Sequence, residues 1–191
     1  MAREANRAHA RSANNVVQYD RLKDHYVEWE DRWRAGKELR EAVLREKHAG
    51  WSPAKKRADP IDLLIKSNEK RLPNLVPIRY ARMLTSAFAF LRGSAAVMAS
   101  DLSQTPVSGI RVQACGDCHL MNFGAFATPE RRLIFDINDF DETLPAPWEW
   151  DVKRLAASFA VAAKYINLSR KDARAASEAS VQSYRKAMGK Y

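Results

Sequence analysis

Two stretches of this chain carry side chains of the types and spacing that phosphoryl transfer requires. The first, Ala114-Cys-Gly-Asp117-Cys-His119-Leu-Met-Asn122, directly follows a segment that alternates like a short strand. The second, Phe135-Asp136-Ile-Asn-Asp139-Phe-Asp141-Glu142, closes another such segment. The reaction needs one carboxylate to receive or orient an acceptor hydroxyl. It also needs an amide and a further carboxylate to hold Mg²⁺ against the phosphates. Asp117 and Asn122 lie five positions apart, the separation of the catalytic Asp and metal-binding Asn in kinase catalytic loops. Asp136, Asp139, Asp141 and Glu142 fall within seven positions and repel one another unless a cation or hydrogen-bond donors compensate. The expected catalytic residues are Asp117 and His119. The expected ligands of Mg²⁺ are Asn122, Asp136, Asp139 and Asp141. His119, two residues past Asp117, either takes part or orients the loop through a backbone hydrogen bond. The structural alternatives are plain ones: Gly-Asp as a turn, Asn122 as a turn residue, and Asp139–Glu142 as a solvated strand end.

Cys115-Gly-Asp-Cys118-His119 also spells the c-type haem attachment motif, which requires export to an oxidising compartment. No secretory signal is visible at the N-terminus. A zinc site lacks a second ligand pair at the usual spacing, because the chain has 2 Cys in all. A thioredoxin-like pair belongs at a helix start and not at a strand–loop junction. Cys115 therefore reads as a small core residue.

The elements that position these loops follow from periodicity. Residues 1–15 are small and polar and are expected to fray. From Val16 to His48 the pattern is helical, with Leu22, Tyr26, Trp29 and Trp33 on one stripe expected to dock on the core. Gly36 is a candidate break. Gly50–Arg57 is a basic loop. Asp59-Pro60 opens a helix predicted to run to about Arg71. Pro77 opens a second helical stretch reaching Asp101 through Met83, Phe88 and Leu91. Ile110–Ala114, Asn122–Ala127 and Arg132–Ile137 alternate as strands. After Pro145 and Pro147 a helix is expected over Asp151–Ile166, and Ser169-Arg-Lys-Asp172 caps another reaching Met188. The predicted fold class is α+β, mostly helical, with a small antiparallel β-hairpin unit presenting the acidic loops.

Composition narrows the functional classes. With 191 residues, 46% hydrophobic and 29% charged, the chain is foldable and neither disordered throughout nor collagen-like. No apolar run approaches the ~18–20 residues that a membrane helix needs, so no membrane partner and a cytoplasmic location are expected. Net charge is +9, but the sign alternates along the chain. Residues 81–150 hold 5 Lys/Arg against 8 Asp/Glu, so the segment richest in chemistry is the acidic one. That placement argues against a nucleic-acid partner and reads the flanking basic residues as solvated helix faces.

At three long motifs the chain resembles a known family. RLPNLVPIRYARM (Arg71–Met83), FAFLRGSAAVMASDL (Phe88–Leu102) and QACGDCHLMNFGAFATPERRLIFDINDFDETLPAPWEWDVKRLAAS (Gln113–Ser158) are similar to the bacterial domain of unknown function 2252. That family in turn resembles kinase-like phosphotransferases of the aminoglycoside and choline kinase type. The resemblance implies a catalytic role for Asp117, metal binding by Asn122 and Asp139, and a loop-buttressing role for Asp151. It also implies a fold like the catalytic-loop part of a kinase C-lobe, with Mg²⁺ as cofactor and ATP as donor only in a complete form. The acceptor is an unspecified small molecule or protein. Cys115 departs from the His usual in those enzymes, and residues 1–110 contain no glycine-rich strand turn with a strand Lys. The expected organisation is a helical arm over 1–49 and an incomplete kinase-like region over 50–191. Such a chain is expected not to turn over ATP alone and to self-associate through an apolar surface near Phe123, Phe126 and Trp148. The alternative is a non-catalytic binding or regulatory protein that retains the fold.

Overall fold

In the computed structural model, which describes residues 27–190, several helices begin where a short polar side chain accepts the first free amides. Asp59 accepts from the Ile61 amide at 2.7 Å and starts α2 (Pro60–Ser67), after α1 (Trp29–Ala42). Ser86 accepts from the Ala89 amide at 3.0 Å and starts α4 (Ala87–Gly93), which follows α3 (Val76–Met83). Ser94 separates α4 from α5 (Ala95–Leu102). The continuous helix expected from Pro77 to Asp101 is thus three short ones. Its apolar residues run on, but Ser86 and Ser94 turn the axis. Likewise α2 ends at Ser67, short of Arg71, because Asn68 turns away to meet the Tyr80 hydroxyl at 2.7 Å.

The chain is α+β. The described residues form seven α-helices and two antiparallel sheets of two strands each. β2 (Phe123–Ala127) pairs with β3 (Leu133–Ile137) as the expected hairpin, with Gly124 opposite Asp136. β1 (Arg111–Ala114) pairs with β4 (Leu144–Pro147), a strand that sequence reading misses. Pro145 and Pro147 disqualify a central strand but are tolerated at an edge, and each strand of this ribbon is an edge. α6 (Trp148–Tyr165) then leaves β4 without a linker, and α7 (Arg170–Met188) packs back along it after the Ser169 cap.

Leu64, Met83 and Val97 form a small buried cluster joining α2, α3 and α5, with Leu63 and Tyr80 against it. Trp148 stacks on Tyr184 at 5.7 Å between ring centroids and donates from its indole to the Ser108 hydroxyl at 2.9 Å. It therefore does not belong to the exposed apolar surface expected around it. The large apolar side chains left open on the hairpin are those of Leu133 and Phe135 and, less fully, Phe126, which the expectation included. The core-docking stripe also needs correction. Trp29 and Trp33 are more than half exposed, and α1 buries nothing. They stack on each other at 6.5 Å, with Lys37 over the Trp33 ring. Leu22 and Tyr26 of that stripe lie outside the described residues, and Gly36 sits within α1 without breaking it. No helix among the described residues is long and apolar enough to cross a membrane.

Candidate functional site

The loop after β1 is shaped by a glycine and held by a carboxylate. Gly116 adopts φ +81°, a conformation that L side chains rarely take. A Cβ there would lie 2.0 Å from the Glu142 carbonyl oxygen, so only glycine lets this loop touch the acidic loop. From the first turn of α6, Asp151 accepts from the Cys115 amide at 2.7 Å and the Gly116 amide at 3.1 Å. Burial pushes the Asp151 carboxyl above its usual value, and the two amides only partly offset that. The structure thus places Asp151 beneath the loop, where a buttress would stand.

Asp117 is gripped from one side by Arg154 and faced from the other by His119. Arg154, one helical turn beyond Asp151, donates from Nε to Asp117 Oδ1 at 2.8 Å, and its Nη2 reaches the same oxygen. Arg154 is buried, and its remaining contacts go to the Leu91 carbonyl at 2.6 Å and the Met98 sulfur at 3.5 Å. His119 Nε2 faces Asp117 Oδ2 at 3.4 Å. Burial alone would raise the Asp117 carboxyl. Hydrogen bonding from His119 and the charge of Arg154 outweigh it and hold the group below the usual carboxylate range. His119 is itself buried with its edge against Phe88, and its Nδ1 has no hydrogen-bond partner among the described residues. The backbone does the orienting: the His119 amide donates to the Asp117 carbonyl at 2.9 Å, and the Leu120 amide donates to the Ser158 hydroxyl at 3.0 Å.

Asn122 ties the two sequence motifs together. It is buried, in a 3₁₀ turn over Leu120–Asn122, and its Nδ2 donates to the Asp117 carbonyl at 3.1 Å and the Asp139 carbonyl at 3.0 Å. Only its Nδ2 is engaged; its Oδ1 accepts no hydrogen bond from the described residues. Asp139 uses Oδ1 to accept the Asp141 amide at 3.0 Å, which turns the loop after β3. Asp117, His119, Asn122, Asp139 and Asp141 all line one cleft of about 1110 Å³. Asp136 does not. It sits within β3, accepting from the Ile137 amide at 2.8 Å, and is exposed away from the cleft lining.

Sequence reading missed Arg154, whose only signal is a cation one turn past Asp151 on a largely apolar helix. Ser158, fully buried, was likewise indistinguishable from any helical serine. Cys115 is free and buried, as expected of a core residue, and so is Cys118. Among the described residues no group of three or more His, Cys, Asp or Glu side chains is arranged to hold a metal ion.

A family model described as uncharacterized proteins conserved in bacteria (DUF2252) matches residues 71–191, more than half of the chain. No curated protein and no solved structure matches it significantly.

Proposed function

We propose that this chain, which belongs to the DUF2252 family of uncharacterized bacterial proteins, carries a kinase-like site for phosphoryl transfer. Asp117 orients an acceptor hydroxyl with Oδ2, which Arg154 leaves free and which His119 faces at 3.4 Å. Its depressed pKa keeps it anionic at neutral pH, which suits orientation of the hydroxyl better than early removal of its proton. Asn122 and Asp139 are the residues that would hold Mg²⁺, through the amide Oδ1 and the carboxylate Oδ2. These are hard oxygen donors, and Mg²⁺ commonly takes one or two protein ligands and completes its shell with phosphates and water. A two-ligand site is therefore sufficient. Bound there, Mg²⁺ supplies neutralisation of phosphate charge.

The observation that carries this reading is the double hydrogen bond of Asn122 to the carbonyls of Asp117 and Asp139. It brings the two motifs, seventeen residues apart at Asn122 and Asp139, to one cleft in the order that the chemistry needs. A second reading, a non-catalytic binding protein, draws on the fact that Arg154 holds Asp117 in a manner that would equally fix a structural loop. Calorimetry with ATP and Mg²⁺, followed by phosphate release, separates the two. The catalytic reading departs from the expectation of no turnover above: it expects slow release that falls by about 10²-fold or more in Asp117→Asn while binding persists. Mg²⁺-dependent ATP binding with no release that depends on Asp117 favours the binding protein. Binding indifferent to Mg²⁺ removes the metal site from both.

A further inference from the structure

The wall of the cleft facing the acidic loops is basic, and nothing in the proposed chemistry uses it. Lys70 and Arg71 follow α2, Arg79 and Arg82 lie on α3, and Arg92 lies on α4, all lining the same cleft as Asp117 and Asp139. Two of the five have evident duties. Arg79 is half-buried and donates to Ser67 Oγ at 3.1 Å and to the Gly93 carbonyl at 2.6 Å, pinning α2, α3 and α4 together. Burial and the neighbouring Arg71 lower its pKa, the behaviour of a strut with little spare solvation. Arg71 reaches across the cleft to Glu142 Oε1 at 3.2 Å. Lys70, Arg82 and Arg92 make no ion pair among the described residues, although four carboxylates line the same cleft. In the segment 81–150, which carries 5 Lys/Arg against 8 Asp/Glu, two of those five cations stand on this one wall.

Unpaired like charges gathered on a concave wall repel one another, and an anion that touches several of them relieves that repulsion. Guanidinium groups also match phosphate oxygens in geometry, through paired N–H donors. A cationic acceptor of the aminoglycoside or choline kind would meet repulsion from the same wall. We infer that the basic wall is a phosphate-binding surface, so that the cleft takes a phosphate-bearing small molecule with its anionic groups on Lys70, Arg82 and Arg92. Contact between this ligand and a divalent ion on Asn122 and Asp139 rests on the function proposed above. Contact with the basic wall does not.

The test is calorimetric titration of the full chain with inorganic tripolyphosphate, first in EDTA and then in Mg²⁺. In EDTA, the double variant Arg82→Gln/Arg92→Gln is expected to weaken binding about tenfold or more, and Lys171→Gln, in the first turn of α7 and outside the cleft lining, is expected to leave it unchanged. Both arginines are exposed, and an unaltered circular dichroism spectrum shows that the double variant folds. Should it not fold, the single variants Arg92→Glu and Lys70→Glu carry the same expectation. ATP and glucose 6-phosphate, run as competitors, distinguish donor phosphates from those of a phosphorylated acceptor, and displacement by either supports the inference. Equal tripolyphosphate affinity in wild type and variant overturns it. So does a single-stranded RNA that binds far more tightly, with a steep salt dependence. Added Mg²⁺ that tightens binding in wild type but not in Asp139→Asn reports separately on the phosphoryl-transfer site. A chain that binds through Arg82 and Arg92 yet ignores Mg²⁺ retains the basic wall and loses that site.

Discussion

Arg154 donates from Nε to Oδ1 of Asp117 at 2.8 Å, from a buried position in α6 to the edge of the cleft. This pair couples α6 to the residue on which the proposed chemistry turns. The guanidinium also donates to the Leu91 carbonyl at 2.6 Å, so α4 is drawn into the same arrangement.

Arg154→Met removes the charge while roughly keeping the volume. Breaking a fully buried ion pair by deleting one partner costs about 3–5 kcal/mol, and the remaining charge is the reason. The Asp117 side chain is 21% exposed and recovers some solvation, so a loss of about 2–4 kcal/mol is expected. Urea unfolding measures it, and pairing the change with Asp117→Asn should return part of the loss. A variant as stable as the wild type would show that the pair contributes nothing to the fold.

Gly116→Ala strains the backbone and also displaces a loop. The left-handed conformation alone costs about 1–2 kcal/mol for a residue with a Cβ. The methyl would also lie 2.0 Å from the Glu142 carbonyl oxygen, which cannot swing aside like a side-chain end. The acidic loop must move, and Asp139 moves with it. The expected result is a less stable protein with impaired divalent-metal binding, read by thermal unfolding and calorimetry. Loss of stability with metal binding intact would mean that Asp139 is not positioned by this contact.

The acid limb of the stability curve should report Asp117. An unfolded Asp titrates near 3.9, and the folded group titrates below that. Between the two values the unfolded chain binds more protons, so stability rises with pH. The contribution is complete above about pH 5 and is lost as pH falls through the folded value. Asp151, whose pKa is raised by burial, acts in the opposite sense, but it is common to wild type and Asp117→Asn and cancels in their difference. Urea unfolding of the two at pH 3 to 7 should give a stability difference that grows to about pH 5 and then levels. A difference independent of pH would mean that Asp117 is not held in its ionised form.

How far the site was readable depended on whether its signal was local. Asp117, Asn122 and Asp139 announce themselves by type and spacing, and the β2–β3 hairpin by alternation, because both patterns lie within a few residues. β4 was hidden because Pro145 and Pro147 argue against a strand unless it is known to lie at an edge. The breaks at Ser86 and Ser94 were hidden because hydrophobic residues continue through them. Arg154 and the basic wall were hidden for a different reason. Lys70 lies in the turn after α2, Arg82 on α3 and Arg92 on α4; each looks like an ordinary solvated cation, and only the packing of these helices gathers them. Asp136 shows the reverse error, since its place in an acidic run suggested a ligand while the strand register directs it elsewhere.

If Asn122 and Asp139 form a divalent-metal site beside Asp117, Mn²⁺ titration followed by electron paramagnetic resonance reads it out. Wild type, Asp139→Asn and Asp136→Asn are compared under identical conditions. Asp139→Asn should weaken Mn²⁺ binding about tenfold or more, since even residues that only support metal ligands contribute about 10–100-fold. Asp136→Asn, altered outside the cleft in the same acidic run, should bind as the wild type does. Equal binding by wild type and Asp139→Asn, or equal losses in both variants, would contradict the site.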